Sequence, residues 1–287
     1  MSNCAVQHGS LGGSLIGLLL ALAGVGCGDN LTHAPDRPGY GKDAAPLSCL
    51  PNLDGVIEAR ELAPALDVPV SYLISPAGKE RTVDLVGAVS DGHRTWTLAT
   101  DYADDARISV QASALAGHWY ADSFATGQFV TPFDAAASLE AVYRQDDQAL
   151  WLLGIASSRP APPEGKTLLI YDAPIAVFRF PLKVGAAWTA TSTISNGTVR
   201  GLPYAGRDTY QVDDDAVGTL VLHDLTFQQV HRVHTLVTVT PSAGAAVARR
   251  QVSLVGECFG ELVRAVSRDG EPVADFTVTT ELRRLGQ

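Results

Sequence analysis

Apolar residues are distributed along this chain in two different ways. Over residues 11–25 they run together as Leu, Ile, Ala, Gly and Val without a single charge. A run of about 15 residues is the length of a signal-peptide core and is short of the roughly 20 needed to cross a bilayer as a helix. From Val68 onward the text becomes short runs of β-branched, aromatic and polar residues punctuated by Gly, Pro and Asp. Between these two regimes, residues 28–48 carry Pro35, Pro38 and Pro46 and almost no apolar periodicity. Such a composition buries too little surface to fold and reads as a tether.

The short runs predict strands over 70–74, 81–89, 94–99 and 107–112, then 118–124, 128–133, 138–144 and 149–156. Turn residues separate them, as in Ser75-Pro76-Ala77-Gly78, Ser90-Asp91-Gly92 and the tip Arg144-Gln145-Asp146-Asp147-Gln148. Residues 159–165, with Pro160, Pro162 and Pro163, form the strongest break. It either divides subdomains 65–158 and 166–287 or is one long loop. Further strands are predicted over 167–171, 175–180, 187–194, 198–201, 209–212, 219–223, 227–240, 248–254, 260–267 and 276–282. Asn196-Gly197 predicts a two-residue hairpin turn, and Asp213-Asp214-Asp215 an acidic turn. The run 227–240 is long for one strand and calls for a bulge within it. Strands about 8 to 12 residues apart, with hardly any helical periodicity, define an all-β fold: an antiparallel sandwich or a curved open barrel.

The apolar run ends at Leu22-Ala23-Gly24-Val25-Gly26-Cys27. This segment resembles the lipobox of bacterial lipoprotein signal peptides, with Gly24 and Val25 where Leu and Ala are usual. The resemblance implies a signal peptide over 1–26 and Cys27 as the first mature residue. Its thiol would carry a diacylglycerol, joined by an N-acyl chain, enough to anchor a protein stably. Residues 27–48 then tether a body over 49–287 to the cell envelope, at the outer membrane facing the periplasm or the cell surface.

The formal charge of −10 argues against nucleic acid and anionic membrane surfaces as partners. Of four cysteines, Cys4 leaves with the signal and Cys27 takes the lipid, so Cys49 and Cys258 remain. In an oxidising compartment two remaining cysteines pair; a metal pair or free buried thiols are the alternatives.

Asn52, Asp54, Gly55, Ile57 and Glu61 have the spacing of the back half of an EF-hand calcium loop, with Glu61 at the bidentate position. Leu50 stands where the first carboxylate belongs. The other reading is an Asp-Gly turn followed by one or two helical turns ending near Pro64.

Phe180-Pro181-Leu182-Lys183-Val184-Gly185-Ala186-Ala187-Trp188 resembles a segment recurring in secreted bacterial β-sheet lipoproteins, and Cys258-Phe259-Gly260-Glu261-Leu262-Val263 resembles a later strand of theirs. The resemblance implies a curved antiparallel sheet similar in kind to the half-barrels of lipoprotein carriers. It implies no catalytic residue.

No Gly-x-Ser-x-Gly or His-Glu-x-x-His occurs. His231 and His234, three apart on a strand, point to opposite faces and do not share an ion. Asp101, Asp104 and Asp105, like Asp213, Asp214 and Asp215, fall in expected turns. Trp96, Trp119, Trp151 and Trp188 fall in expected strands and read as core. The expectation is a membrane-anchored, non-catalytic binding or structural module, with an apolar ligand or an envelope protein as partner. A secreted hydrolase of polysaccharide or peptide and a calcium-stabilised adhesion module are the alternatives.

Overall fold

The computed structural model describes residues 49–286. The expected signal peptide over 1–26, Cys27 and the expected tether over 27–48 lie outside them. The regular structure of the described chain is almost all strand: β1 (Pro69–Ile74), β2 (Arg81–Thr82), β3 (Ala88–Ser90), β4 (His93–Thr97), β5 (Ala106–Gln111), β6 (Ser113–Ala114), β7 (Phe129–Pro132), β8 (Leu139–Gln145) and β9 (Ala149–Ser157). After the Pro-rich break come β10 (Leu168–Arg179), β11 (Ala186–Val199), β12 (Leu202–Val221), β13 (Thr226–Pro241), β14 (Val247–Gly256), β15 (Gly260–Asp269), β16 (Val278–Thr279) and β17 (Glu281–Leu285). The expected helical turn near Pro64 is a short 3-10 turn, Ala59–Glu61.

One antiparallel sheet runs in the order β5, β1, β17, β15, β14, β13, β12, β11, β10, β9, β8, β7, β6. Its two ends are halves of a single stretch: only Ala112 separates β5, which pairs with β1, from β6, which pairs with β7. The sheet is thereby nearly closed into a barrel. The break at 159–165 is the connection between β9 and β10, which pair directly, so the sheet runs through it uninterrupted.

Several expected turns are corrected. Asn196-Gly197 lies inside β11, where the pairing slips between Ile194 and Gly197. A Cβ on Gly197 would come within 2.8 Å of Ile194 and 2.9 Å of Leu169, so glycine serves close packing at a bulge. The reversal falls at Arg200-Gly201, both with positive φ, 49° and 78°. The acidic triple lies inside β12, where Asp213 and Asp214 pair with His234 and Val233 of β13. The strand expected over 118–124 is irregular with a 3-10 turn, Ala121–Ser123, so Trp119 is not on a strand. The bulge expected within 227–240 is present: Gln229 has φ of 53° and the register with β12 slips opposite it.

The apolar core is divided by the barrel wall. Outside it, the excursion carrying β2 to β4 and Phe276 covers β12 to β17, burying Trp96, Leu220, Leu254, Leu262 and Phe276. Also outside, residues 115–124 cover β7 to β9 through Leu115, Tyr120 and Phe124 against Val130, Val142 and Leu153. Inside lie Leu152, Ile175, Trp188, Tyr210, Val212 and Val233, with Ile57 and Leu182 at one end. Ile57 and Leu182 exchange two backbone hydrogen bonds of 2.9 Å, and Cys258 N–H donates to the Glu61 carbonyl at 2.7 Å. The segment before β1 thus crosses the barrel end formed by the 180–185 and 257–259 turns. The disulfide Cys49–Cys258 fastens it there. Among the described residues no helix is long and apolar enough to cross a membrane.

Candidate functional site

Two groups of side chains stand out from this frame, one inside the barrel and one at its seam. The inner group follows from strand alternation. Ser253, Arg264 and Arg283 occupy paired positions on β14, β15 and β17, so their side chains share the inward face. Glu261 joins them, accepting from Ser253 Oγ at 2.6 Å, from Arg264 at 2.7 Å and from Arg283. The Arg283 guanidinium also lies 5.3 Å over the Tyr72 ring of β1. Burial alone would raise the Glu261 carboxyl, but Arg264 and Arg283 outweigh it and hold it at about 2. Tyr143 of β8 and Tyr210 of β12 both feel the Arg264 charge, so opposite walls converge here. Burial raises both phenols, which stay neutral hydrogen-bond donors. Towards the other end Tyr171 donates to Asp208 at 2.6 Å, and burial raises the Asp208 carboxyl.

The exposure pattern on these strands is inverted. Outward-facing Val252, Leu254, Val263 and Ala265 are at most 1 % exposed, beneath the covering excursion. Inward-facing Arg264 and Glu261 retain 21 % and 14 %. Here the ring has twelve strands, since β5 and β6 count as one of the thirteen on the path. The inner face carries a charged, partly exposed patch beside a packed apolar cluster in which Leu152, Ile175 and Val212 are buried.

The second group lies where the barrel seam is covered. Ser113 is on the short edge strand β6, and His118 and Tyr120 follow in the turn that crosses β7 to β9. Glu140 is on β8. Ser113 Oγ is 3.4 Å from His118 Nε2, while His118 Nδ1 is 3.2 Å from Glu140 Oε2 and 3.0 Å from the Tyr120 hydroxyl. Tyr120 in turn donates to Glu140. Sequence reasoning missed this group: the spacing Ser113–His118–Glu140 matches no motif, and only the crossing of β8 by the 115–124 segment unites them.

The positions singled out in the sequence are placed as follows. Cys49 and Cys258 are bonded, with Cα atoms 5.5 Å apart. The Glu61 carboxylate accepts from Glu58 N–H at 2.9 Å and from the Asn52 amide at 3.2 Å, and Asp54 accepts from Val56 N–H at 2.9 Å. These oxygens are met by N–H donors, and among the described residues no group of three His, Cys, Asp or Glu is placed to hold a metal ion. His231 and His234 do face opposite ways. His231 is inside, 2.8 Å from Asp214, whereas His234 is outside, 3.6 Å from Asp215 and 3.5 Å from Asp275. Asp104 and Asp105 pair with Arg81, and Asp105 also with Arg284. Trp96 and Trp188 are buried and donate to Leu85 O and Ala176 O, while Trp119 and Trp151 are partly buried.

No family model, curated protein or solved structure matches this chain. The nearly closed antiparallel sheet agrees with the curved sheet that the lipoprotein-like segments imply.

Proposed function

We propose that this chain is a lipid-anchored protein of the cell envelope whose barrel holds a small amphiphile, an apolar body with one polar end. The observation that supports the binding role is the Arg264–Glu261–Arg283 cluster on the inner face, where Arg264 and Glu261 keep 21 % and 14 % exposure beside the apolar inner cluster of Leu152, Ile175 and Val212. Anchoring rests on the lipobox-like sequence at Cys27 and on what surrounds the point where the tether joins the body. Leu50, next to the disulfide, is 70 % exposed, and Phe259, next to Cys258, is 52 % exposed. Leu53 and Val184 are exposed at the same end. Apolar side chains held rigidly around a tether's exit suit a body that rests on a lipid surface.

The test has two arms. Mass spectrometry of the mature N-terminal peptide is expected to show acyl chains on Cys27, and an unmodified Cys27 sinks the anchor. Native mass spectrometry of the protein purified from its own membrane in mild detergent is expected to show a retained small molecule that Arg264→Met releases. A bare protein, with Trp188 fluorescence unmoved by titrated fatty acids or lysolipids, sinks the binding role.

A further inference from the structure

Beyond a binding role, we infer that Ser113, His118 and Glu140 form a nucleophilic site able to hydrolyse carboxylic esters. The assignment begins with the tautomer. Nδ1 of His118 faces the Glu140 carboxylate at 3.2 Å and a Tyr120 oxygen at 3.0 Å, and the Tyr120 hydrogen is already donated to Glu140. Both neighbours of Nδ1 are therefore acceptors, so Nδ1 carries the imidazole hydrogen. Nε2 is left with its lone pair, 3.4 Å from Ser113 Oγ. This is the order nucleophile, base and orienting carboxylate that acyl transfer requires, and nucleophile–base distances are looser before substrate binds.

Three further features fit. Ser113 and His118 are neither buried nor flung into solvent: His118 is 22 % exposed, and Ser113 is of intermediate exposure. Tyr120 is almost fully buried beneath them, and its edge-on contacts with Trp119 and Phe124 hold the base in place. The turn between nucleophile and base leaves the N–H groups of Ala116 and Gly117 without a backbone acceptor among the described residues, and Gly117 faces open space. Both are N–H donors of the kind an oxyanion requires, within four residues of Ser113.

The reaction balances with ester and water alone. Ser113 Oγ bonds to the ester carbonyl carbon as His118 Nε2 takes the hydroxyl proton. The tetrahedral adduct collapses with cleavage of the carbon–alkoxide bond, and the alcohol leaves with the proton from Nε2. Water then attacks the acyl-serine, His118 takes its proton and returns it to Ser113 Oγ, and the acid departs. Glu140 is a positioning residue that holds the imidazole and stabilises the imidazolium. His118 at 22 % exposure and Ser113 at intermediate exposure are reached from the surface by a small ester.

The experiment uses the full mature protein with a fluorophosphonate label and p-nitrophenyl butyrate. The label is expected on the Ser113 peptide, with turnover that Ser113→Ala abolishes and His118→Gln lowers by about 10²-fold or more. Glu140→Gln is expected to lower kcat with KM unchanged, which loss of a mere brace would not produce selectively. Ser113→Ala removes one hydroxyl from an edge strand, so its melting temperature is expected to match the parent. Label on another residue, no label, or turnover surviving Ser113→Ala overturns the assignment. So does loss of turnover that only tracks loss of folded protein across all three variants. None of these results bears on the lumen or on Cys27.

Discussion

Asp214 and His231 lie 2.8 Å apart with both side chains wholly closed off from solvent. They sit inside the barrel on neighbouring strands, and Asp214 Oδ1 and His231 Nε2 have no other partner among the described residues. Burial pushes the Asp214 carboxyl up, and His231 pulls it down. Removing one member leaves the other buried and uncompensated, which costs about 3–5 kcal/mol. His231→Ala and Asp214→Asn are each expected to lower the urea midpoint strongly, and the double variant by clearly less than their sum. Additive losses would mean the pair is not coupled.

Acid stability turns on Glu261. Its folded carboxyl titrates at about 2 against an ordinary 4.5, so it binds its proton later than in the unfolded chain. The stabilisation is present above pH 4.5 and is lost as pH falls through that window towards 2. Its size is about 3 kcal/mol. Glu261→Gln is expected to be destabilised at neutral pH and to show a flatter stability curve on the acid side, followed by denaturant melts across pH.

Asp208 has the opposite sign. Burial raises its folded carboxyl above the ordinary 3.8, so the folded state holds the proton longer and stability falls as pH rises through that interval. Asp208→Asn keeps an acceptor for the Tyr171 hydroxyl without the charge. It is expected to raise the melting temperature at neutral pH and to leave it unchanged near pH 3. A loss at neutral pH would show that the ionised form is stabilised by a partner in the lumen.

Glu61 separates a backbone cap from a calcium ligand. Its carboxylate accepts from Glu58 N–H and the Asn52 amide, while Glu257 accepts from the N–H groups of Asn52 and Leu53 at 2.8 Å each. Glu61→Ala is expected to cost about 1–3 kcal/mol, by equal amounts in excess EDTA and in millimolar calcium. A parent melting temperature that rises with calcium, in a way Glu61→Ala abolishes, would favour the ligand role instead.

The two barrel ends are expected to differ at a membrane. Phe259 lies beside the Cys49–Cys258 disulfide, and Leu202, 70 % exposed, lies by the reversal at the opposite end of β11. If the chain is lipid-anchored as proposed, Phe259→Trp emission on membranes is expected to shift blue and to be quenched by brominated phosphatidylcholine, and Leu202→Trp emission to do neither. Equal quenching at both would mean that the proposed anchor imposes no preferred face on the body.

By itself the sequence determined the all-β class, most strand positions and the Cys49–Cys258 pair, because strand alternation, turn chemistry and thiol count are local or countable. The tip at 144–148 was legible since Asp146 satisfies the turn with its own carboxylate, accepting from Gln148 and Ala149 N–H. Only the tertiary structure decided which local signals prevailed. Asn196-Gly197 lost to Arg200-Gly201 because the pairing of β11 with β12 continued past it through a bulge. The acidic triple became strand because β13 supplies His231 and Arg232 to Asp214 and Asp215. Barrel closure through Ala112, the charged lumen and the Ser113–His118–Glu140 group all depend on residues far apart in the chain meeting across a curved sheet. Pattern carries which face a side chain takes; the partner on that face is set by sheet order and curvature, which no single strand encodes.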